Sequence, residues 1–291
     1  MSHHPINLEQ ALSQAASWIV EADSLVISTG AGMSVDSGLP DFRGPEGFWR
    51  AYPALGREQL GFTDIANPRA FYDNPERAWG FYGHRLNLYR RTEPHAGYGL
   101  LLHWGHKMPN HYQVFTSNVD GHFFKAGFDL MRVHECHGSI HYLQCLEPCG
   151  NFVWSAVEFQ PEVDENLCRL RSHTPRCTHC GRLARPNILM FDDVDWVYER
   201  TRKQHLYQER WLERVAHPLV IEIGAGTAVP SARHFSARIQ HEHHARLIRI
   251  NPNDELTTEV NTLHLPYPAL MVLTQLQAEL VKAYGSDWQL E

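Results

Sequence analysis

Residues 7–22 carry apolar side chains at Leu8, Ala11, Leu12, Ala15 and Ile19, a spacing of three and four that recurs once per helical turn. The pattern predicts an amphipathic helix, with Asn7 placed to cap it and Gln10 three residues later as a reciprocal partner. Short apolar runs follow at 25–27, 112–116, 219–223 and 246–250, rich in β-branched or aromatic residues. Continuous runs of this length predict strands buried on both faces, as in a parallel sheet. Residues 53–91 mix Pro and Gly with aromatic-rich helical stretches such as 76–89, which predicts a small helical module. A final helix is expected over 270–284, with Leu273, Leu276 and Leu280 on one face. Strands alternating with helices predict the α/β class.

Polar, glycine-bearing segments stand directly after three of these strands. The first, 28–49, reads STGAGMSVDSGLPDFRGPEGFW and carries Gly30, Gly32 and Gly38. Glycines at a strand end allow a tight turn whose free N–H groups can hold a pyrophosphate. The second is Ser117-Asn118-Val119-Asp120-Gly121-His122, and the third is Gly224-Ala225-Gly226-Thr227. Ligands of open parallel sheets sit at the carboxyl ends of strands, so these segments are expected to share one crevice.

Composition narrows the class. The chain has 291 residues, 43% hydrophobic and 20% charged, which suits one large domain or a large domain carrying a small one. No apolar run reaches the ~20 residues that span a bilayer, and MSHHPINLEQ lacks the basic and apolar parts of a signal peptide, so a cytoplasmic location is expected. A net charge of −7 argues against nucleic acid or anionic membranes as partners. The segment holds no internal repeat or low-complexity tract.

Four of the six cysteines form two close pairs, Cys145 with Cys149 and Cys177 with Cys180. Two such pairs separated by a loop can complete a tetrahedral zinc site that stands in for the core a small lobe lacks. Cys136 and Cys168 lie outside the pairs and are expected as buried thiols, while His179, between the ligands, is the weaker alternative ligand.

The motifs, taken in order, resemble those of the sirtuins, the NAD-dependent protein deacylases. The first loop is similar to GAGxSxxSGIPDFR, the Asn118 segment to TQNxDxxH with Ser117 at the glutamine position, and Glu135-Cys136-His137-Gly138-Ser139 to ELHGS. Arg185-Pro186-Asn187-Ile188-Leu189-Met190-Phe191-Asp192-Asp193 resembles RPxxVxFGE, with Asp192 and Asp193 replacing Gly-Glu. The 224–232 segment occupies the place of GTSLxVxPA, matching at Gly224, Val229 and Ala232, and Asn251 matches an adenosine-ribose contact.

The resemblance implies a Rossmann-like parallel-sheet domain (1–50, 93–136 and 186–291) with a smaller lobe made of a helical module (51–92) and a zinc-binding module (137–185). It implies NAD and one structural zinc on Cys145, Cys149, Cys177 and Cys180. Gly30, Ala31 and Gly32 would face the phosphates; Asp41, Phe42 and Arg43 would shape the nicotinamide pocket. Asn118 and Asp120 would position the ribose, and Ser34, Trp49, Ser117, Gly224, Ala225, Gly226 and Asn251 would complete the NAD contacts. Met190 and Phe191 would lie along the acylated lysine of a protein substrate, where the carboxylate added at Asp192 would favour basic sequences and the lost glycine would restrict peptide approach.

In the implied reaction the acyl oxygen attacks C1′ of the nicotinamide ribose, and His137, as general base, frees a ribose hydroxyl to attack the resulting imidate. His134 and His141 are read as structural. Tyr82 and Arg85 share a helical face and match the Tyr-x-x-Arg that binds succinyl or malonyl carboxylates in some sirtuins, while Val35 stands where those enzymes have alanine. A surface arginine beside a packed tyrosine is the other reading of that pair. An NAD hydrolase or ADP-ribosyltransferase on the same fold is the alternative activity, and a non-catalytic NAD or ADP-ribose sensor is the third reading.

Overall fold

The computed structural model describes residues 7–40, 44–254 and 260–290. Helix α1 (Leu8–Glu21) leads into β1 (Ser24–Thr29), and a 3-10 helix over Ala31–Ser37 follows. Short helices α2 (Gly44–Ala51), α3 (Pro53–Arg57), α4 (Phe62–Ile65) and α5 (Arg69–Asp73) precede α6 (Pro75–Arg91) and α7 (Ala96–Lys107). Next come β2 (Tyr112–Thr116), α8 (His122–Lys125) and β3 (Val133–Glu135). Five strands follow: β4 (Gly138–Cys145), β5 (Val153–Ser155), β6 (Val163–Asp164), β7 (Arg169–Leu170) and β8 (Ala184–Ile188). The remainder is α9 (Glu199–Leu212), β9 (Pro218–Ile223), α10 (Ser231–His243), β10 (Arg246–Ile250), β11 (Thr262–Leu265) and α11 (Ala269–Tyr284). Asn7 caps α1 as expected, but its side chain accepts from the Glu9 N–H.

Six strands form a parallel sheet in the order β11-β10-β9-β1-β2-β3. The chain moves outward from β1 through β2 to β3, then returns to the other side of β1 as β9. Strand order therefore reverses between β1 and β9, and a crevice opens at their carboxyl ends. Both glycine turns, after β1 and after β9, lie at that reversal.

The continuous apolar runs are explained by helices on both faces. Leu25 and Ile27 point to the face covered by α1, α7 and α11, where Ile19, Trp104 and Leu276 are buried. Val26, between them, points to the opposite face with Val220 and Leu247, under Leu212 of α9 and Ile239 of α10. The alternation is the strand period of two, and both of its faces are apolar.

A second core gathers Phe71, Trp79, Phe81, Tyr82 and Leu86 against Ile140 and Leu143 of β4 and Ile188 of β8. Its sheet is antiparallel, in the order β5-β4-β8, with β6 and β7 paired separately. The Trp79 indole N–H donates to the Ala184 carbonyl at 3.0 Å, which ties α6 to β8.

Candidate active site

The two glycine turns pack on each other backbone to backbone. Gly30 N–H donates to Ile223 O at 3.0 Å and Gly32 N–H to Gly224 O at 3.1 Å. A Cβ on Gly32 would lie 2.6 Å from Gly224 Cα, and Gly224 itself holds φ at +59°. These glycines are needed for the contact between the turns, and two of the N–H groups expected to be free are spent on it. Ala31, between them, is the position whose N–H neither contact uses, at the start of the 3-10 helix. The loop is held further by His95 Nε2 on Met33 O at 2.9 Å and by Leu270 N–H on the Asp36 carboxylate at 2.8 Å.

Ser34 is the hub of the polar floor. Its hydroxyl donates to Asp120 Oδ2 at 2.6 Å and accepts from Asn118 Nδ2 at 3.2 Å, with the Tyr98 hydroxyl 3.0 Å away. The second Asp120 oxygen accepts from the His122 N–H at 2.9 Å. Asn118, Asp120 and Ser34 are all buried, so each polar atom is oriented by a partner. Tyr98 lies on an apolar helical face and nothing in its sequence surroundings singles it out.

Ser117 turns away from this floor. Its N–H and its hydroxyl both go to the Thr29 carbonyl, at 3.0 and 3.3 Å, fastening β2 to β1. Asn251 is buried, and its amide donates to Ala225 O and Asp254 Oδ1, each at 3.0 Å. Arg233 reaches the same Ala225 carbonyl at 2.8 Å and pairs with Asp254 at 2.6 Å. The second turn is thus stapled at Ala225, leaving Gly226 half-buried beyond it. Trp49 donates to Leu60 O at 2.8 Å within the helical module. Asp41, Phe42 and Arg43 lie outside the described residues.

His137 stands at the turn between β3 and β4. Its Nε2 is 3.0 Å from Ser231 Oγ, on the first residue of α10. Burial lowers its pKa below the ordinary histidine value, opposed by the Ser117 backbone beside the ring, so the neutral base form is favoured. His134 and His141 are structural, as read. His134 Nδ1 meets Gln208 Oε1 at 3.0 Å, and His141 Nε2 donates to Asp120 O at 2.7 Å.

In the segment after β8 the Asp193 side chain is fully buried and its two oxygens meet the Arg185 guanidinium at 2.7 Å each, so this carboxylate is withheld from any peptide. Asp192 adopts the left-handed φ of +54° and accepts from Asn67 Nδ2 at 3.3 Å. It keeps the conformation a glycine would have there. The Leu189 N–H donates to His137 O at 2.9 Å, linking the segment to the histidine. Met190 is buried in the second core, whereas Phe191 is exposed with its ring 6.0 Å from Phe62.

Arg85 is a buried residue, which removes the surface-arginine reading. Its Nε and Nη2 donate to the Tyr89 hydroxyl at 2.9 and 2.6 Å. The guanidinium carbon lies 5.3, 5.9 and 5.3 Å from the Phe81, Tyr82 and Tyr89 ring centres.

The Sγ atoms of Cys145, Cys149, Cys177 and Cys180 all lie within 4.8 Å of one another. Cys145 to Cys180 is 3.5 Å and Cys149 to Cys177 is 3.6 Å, near the ~3.8 Å edge of a tetrahedron with Zn–S of ~2.3 Å. Four sulfurs at this spacing fit a structural zinc ion and leave no open position for catalysis. His179 lies beside Cys149 and stacks on Phe152, with ring centres 4.7 Å apart. Cys168 is buried as expected and Cys136 only half-buried, and desolvation pushes both thiols up to about 12.

Among the described residues no helix is long and apolar enough to cross a membrane. A family model described as the Sir2 family matches residues 30–216. An NAD-dependent protein deacylase of Aquifex aeolicus is 30% identical over 264 residues, covering 90% of this chain and 98% of that protein. An NAD-dependent protein deacetylase of Shouchella clausii is 31% identical over 232 residues, 79% of this chain and 84% of the relative. Among solved structures, a Sir2 homologue bound to NAD superposes with a TM-score of 0.72 at 25% identity, covering 97% of each chain. The sequence match and the shared architecture extend across both cores, and this chain belongs to the Sir2 family.

Proposed function

We propose that the protein is an NAD-dependent protein-lysine deacylase, in which the crevice at the β1–β9 reversal receives NAD and His137 acts as general base. The observation that carries the reading is the convergence of the Ser34–Asn118–Asp120 floor and His137 on the carboxyl ends of β1, β2 and β3. The relatives named as deacylases support it along nearly their full length. Transfer of the acyl group to the ribose gives free lysine, nicotinamide and O-acyl-ADP-ribose.

Each residue has a defined task in this reading. The Ala31 N–H meets a phosphate at the start of the 3-10 helix, where N–H groups favour an anion. Asn118 and Asp120, oriented through Ser34, hold ribose hydroxyls. His137, kept neutral by burial, takes the proton from the hydroxyl that attacks the acyl carbon. The N–H groups of Leu189 and Phe191 are held by His137 O and Ala66 O, so an extended peptide pairs here through the carbonyls of the segment. The two cores act as separate lobes around the crevice, with the four-cysteine site holding the smaller lobe together.

The acyl group is a further part of the proposal. Arg85 and Tyr82 share one side of α6, with the guanidinium carbon 5.9 Å from the Tyr82 ring centre, and in this reading the pair selects acyl groups that end in a carboxylate. Val35, 44% exposed, counts against it, because the enzymes with this pair have alanine there and the extra methyls would narrow the pocket.

Nicotinamide release from NAD with and without acetyl, succinyl, malonyl and butyryl peptides tests this reading. Release that requires an acylated peptide supports the deacylase. Release of nicotinamide and free ADP-ribose without peptide identifies an NAD hydrolase instead.

A further inference from the structure

The hydroxyl that meets His137 comes from a position where the motif GTSLxVxPA, aligned on Gly224, Val229 and Ala232, has proline. Proline carries no side-chain donor or acceptor. We propose that Ser231 is a positioning residue for His137, holding the imidazole so that Nε2 stays directed at the ribose side of the crevice. The inference rests on the deacylase reading and adds to it a residue specific to this chain.

Ser231 opens α10, and its hydroxyl is not used as a cap because Pro230 is the N-cap residue. The first turn of that helix is fixed on two sides. Ser28 of β1 donates to Ala232 O at 3.0 Å, and Arg233 Nε donates to Ala225 O at 3.0 Å. The Ser231 hydroxyl is therefore presented from a rigid support, 3.0 Å from Nε2. His137 is anchored through its own backbone by the Leu189 N–H at 2.9 Å.

A hydroxyl suits both states of the base. It donates to Nε2 when the ring is neutral and accepts from Nε2–H when the ring carries the proton. In the free enzyme the serine holds the ring in place, and an incoming ribose hydroxyl takes its place at Nε2 without turning the imidazole.

The test compares wild type, Ser231→Ala and Ser231→Thr in two assays with NAD and an acyl peptide. Peptide-dependent exchange of labelled nicotinamide into NAD reads the step before the base acts, and O-acyl-ADP-ribose formation reads the step that needs it. Ser231→Ala should lower product formation relative to exchange by about tenfold, and Ser231→Thr should restore the ratio. In a His137→Ala background the serine substitution should change nothing further. Imidazole 15N spectra of the ligand-free protein give a readout independent of turnover, in which Ser231→Ala should shift the His137 Nε2 resonance and Ser231→Thr should not. Equal losses in both assays, a further loss in the His137→Ala background, or an unmoved Nε2 resonance would overturn the role. Wild type that exchanges no nicotinamide with any acyl peptide would overturn the deacylase reading and this role with it.

Discussion

Gly32 and Gly224 touch through their backbones, with the Gly32 N–H on Gly224 O at 3.1 Å, and the two strand-end turns are thereby one unit. Gly32→Ala puts a methyl 2.6 Å from Gly224 Cα and should cost about 1–3 kcal/mol of stability as well as NAD binding. Ala31→Pro separates the two effects. Gly30 has φ −117° and ψ −170°, which a following proline accepts, and Ala31 is a first helical position. This variant should keep its melting temperature and lose about 1.5 kcal/mol of NAD affinity, roughly tenfold in Kd. Calorimetric titration beside thermal unfolding checks both, and unchanged affinity in Ala31→Pro would remove the phosphate role of that N–H.

The four-sulfur cluster predicts one zinc ion per chain in protein purified without chelator. Cys177→Ser removes a buried ligand and should abolish zinc retention and the cooperative unfolding of the small lobe. Elemental analysis with thermal unfolding reads this. Stoichiometric metal in Cys177→Ser would contradict the assignment.

His134 links stability to pH. Its folded pKa is lowered to about 4, chiefly by burial, while the unfolded chain titrates near 6.5. Between these values the unfolded state binds the extra proton, so stability is full above about pH 6.5 and falls as pH drops toward 4, by about 3 kcal/mol from this one group. Gln208 Nε2 donates to Val114 O at 3.1 Å, which turns its Oε1 toward His134 and fixes the ring's proton on Nδ1. His134→Gln should flatten the slope of urea-unfolding stability between pH 6.5 and 4.5; an unchanged slope would place the linkage elsewhere.

Arg85→Met should lower turnover of succinyl and malonyl peptides by at least tenfold more than turnover of acetyl peptide, because a charge-assisted contact to the acyl carboxylate is lost. Competition between the peptides in one reaction measures the ratio directly. Equal losses would return Arg85 to a packing role under Phe81 and Tyr89.

The strands and the first and last helices were legible because their apolar pattern is local: 25–27 and 219–223 lie within β1 and β9, and 270–284 within α11. The cysteine cluster was legible because its spacing alone states the chemistry. Side-chain direction was not. Asp192 and Asp193 are identical neighbours, yet one sits on the surface at positive φ and the other is sealed against Arg185, eight residues back along the chain. Removing one partner of a pair buried this completely costs about 3–5 kcal/mol, which is why Asp193 is spent on structure. Tyr98 reaches the site from α7, whose sequence carries no motif there, and Ser231 from α10, at a position where the GTSLxVxPA pattern has a proline with no polar side chain. The sequence presents Gly30 and Gly32 as phosphate donors, and only the partner turn, about 190 residues away in sequence, shows where their N–H groups go.

In the proposed reaction, His137 and the floor around Asp120 couple NAD cleavage to removal of a lysine acyl group. Mass spectrometry of a reaction containing NAD and an acylated peptide, run with wild type and His137→Ala, tests it most directly. Wild type should give O-acyl-ADP-ribose and deacylated peptide in equal amounts, and His137→Ala should lose at least a hundredfold. Free ADP-ribose with an untouched peptide, or product formation that survives the substitution, would contradict it.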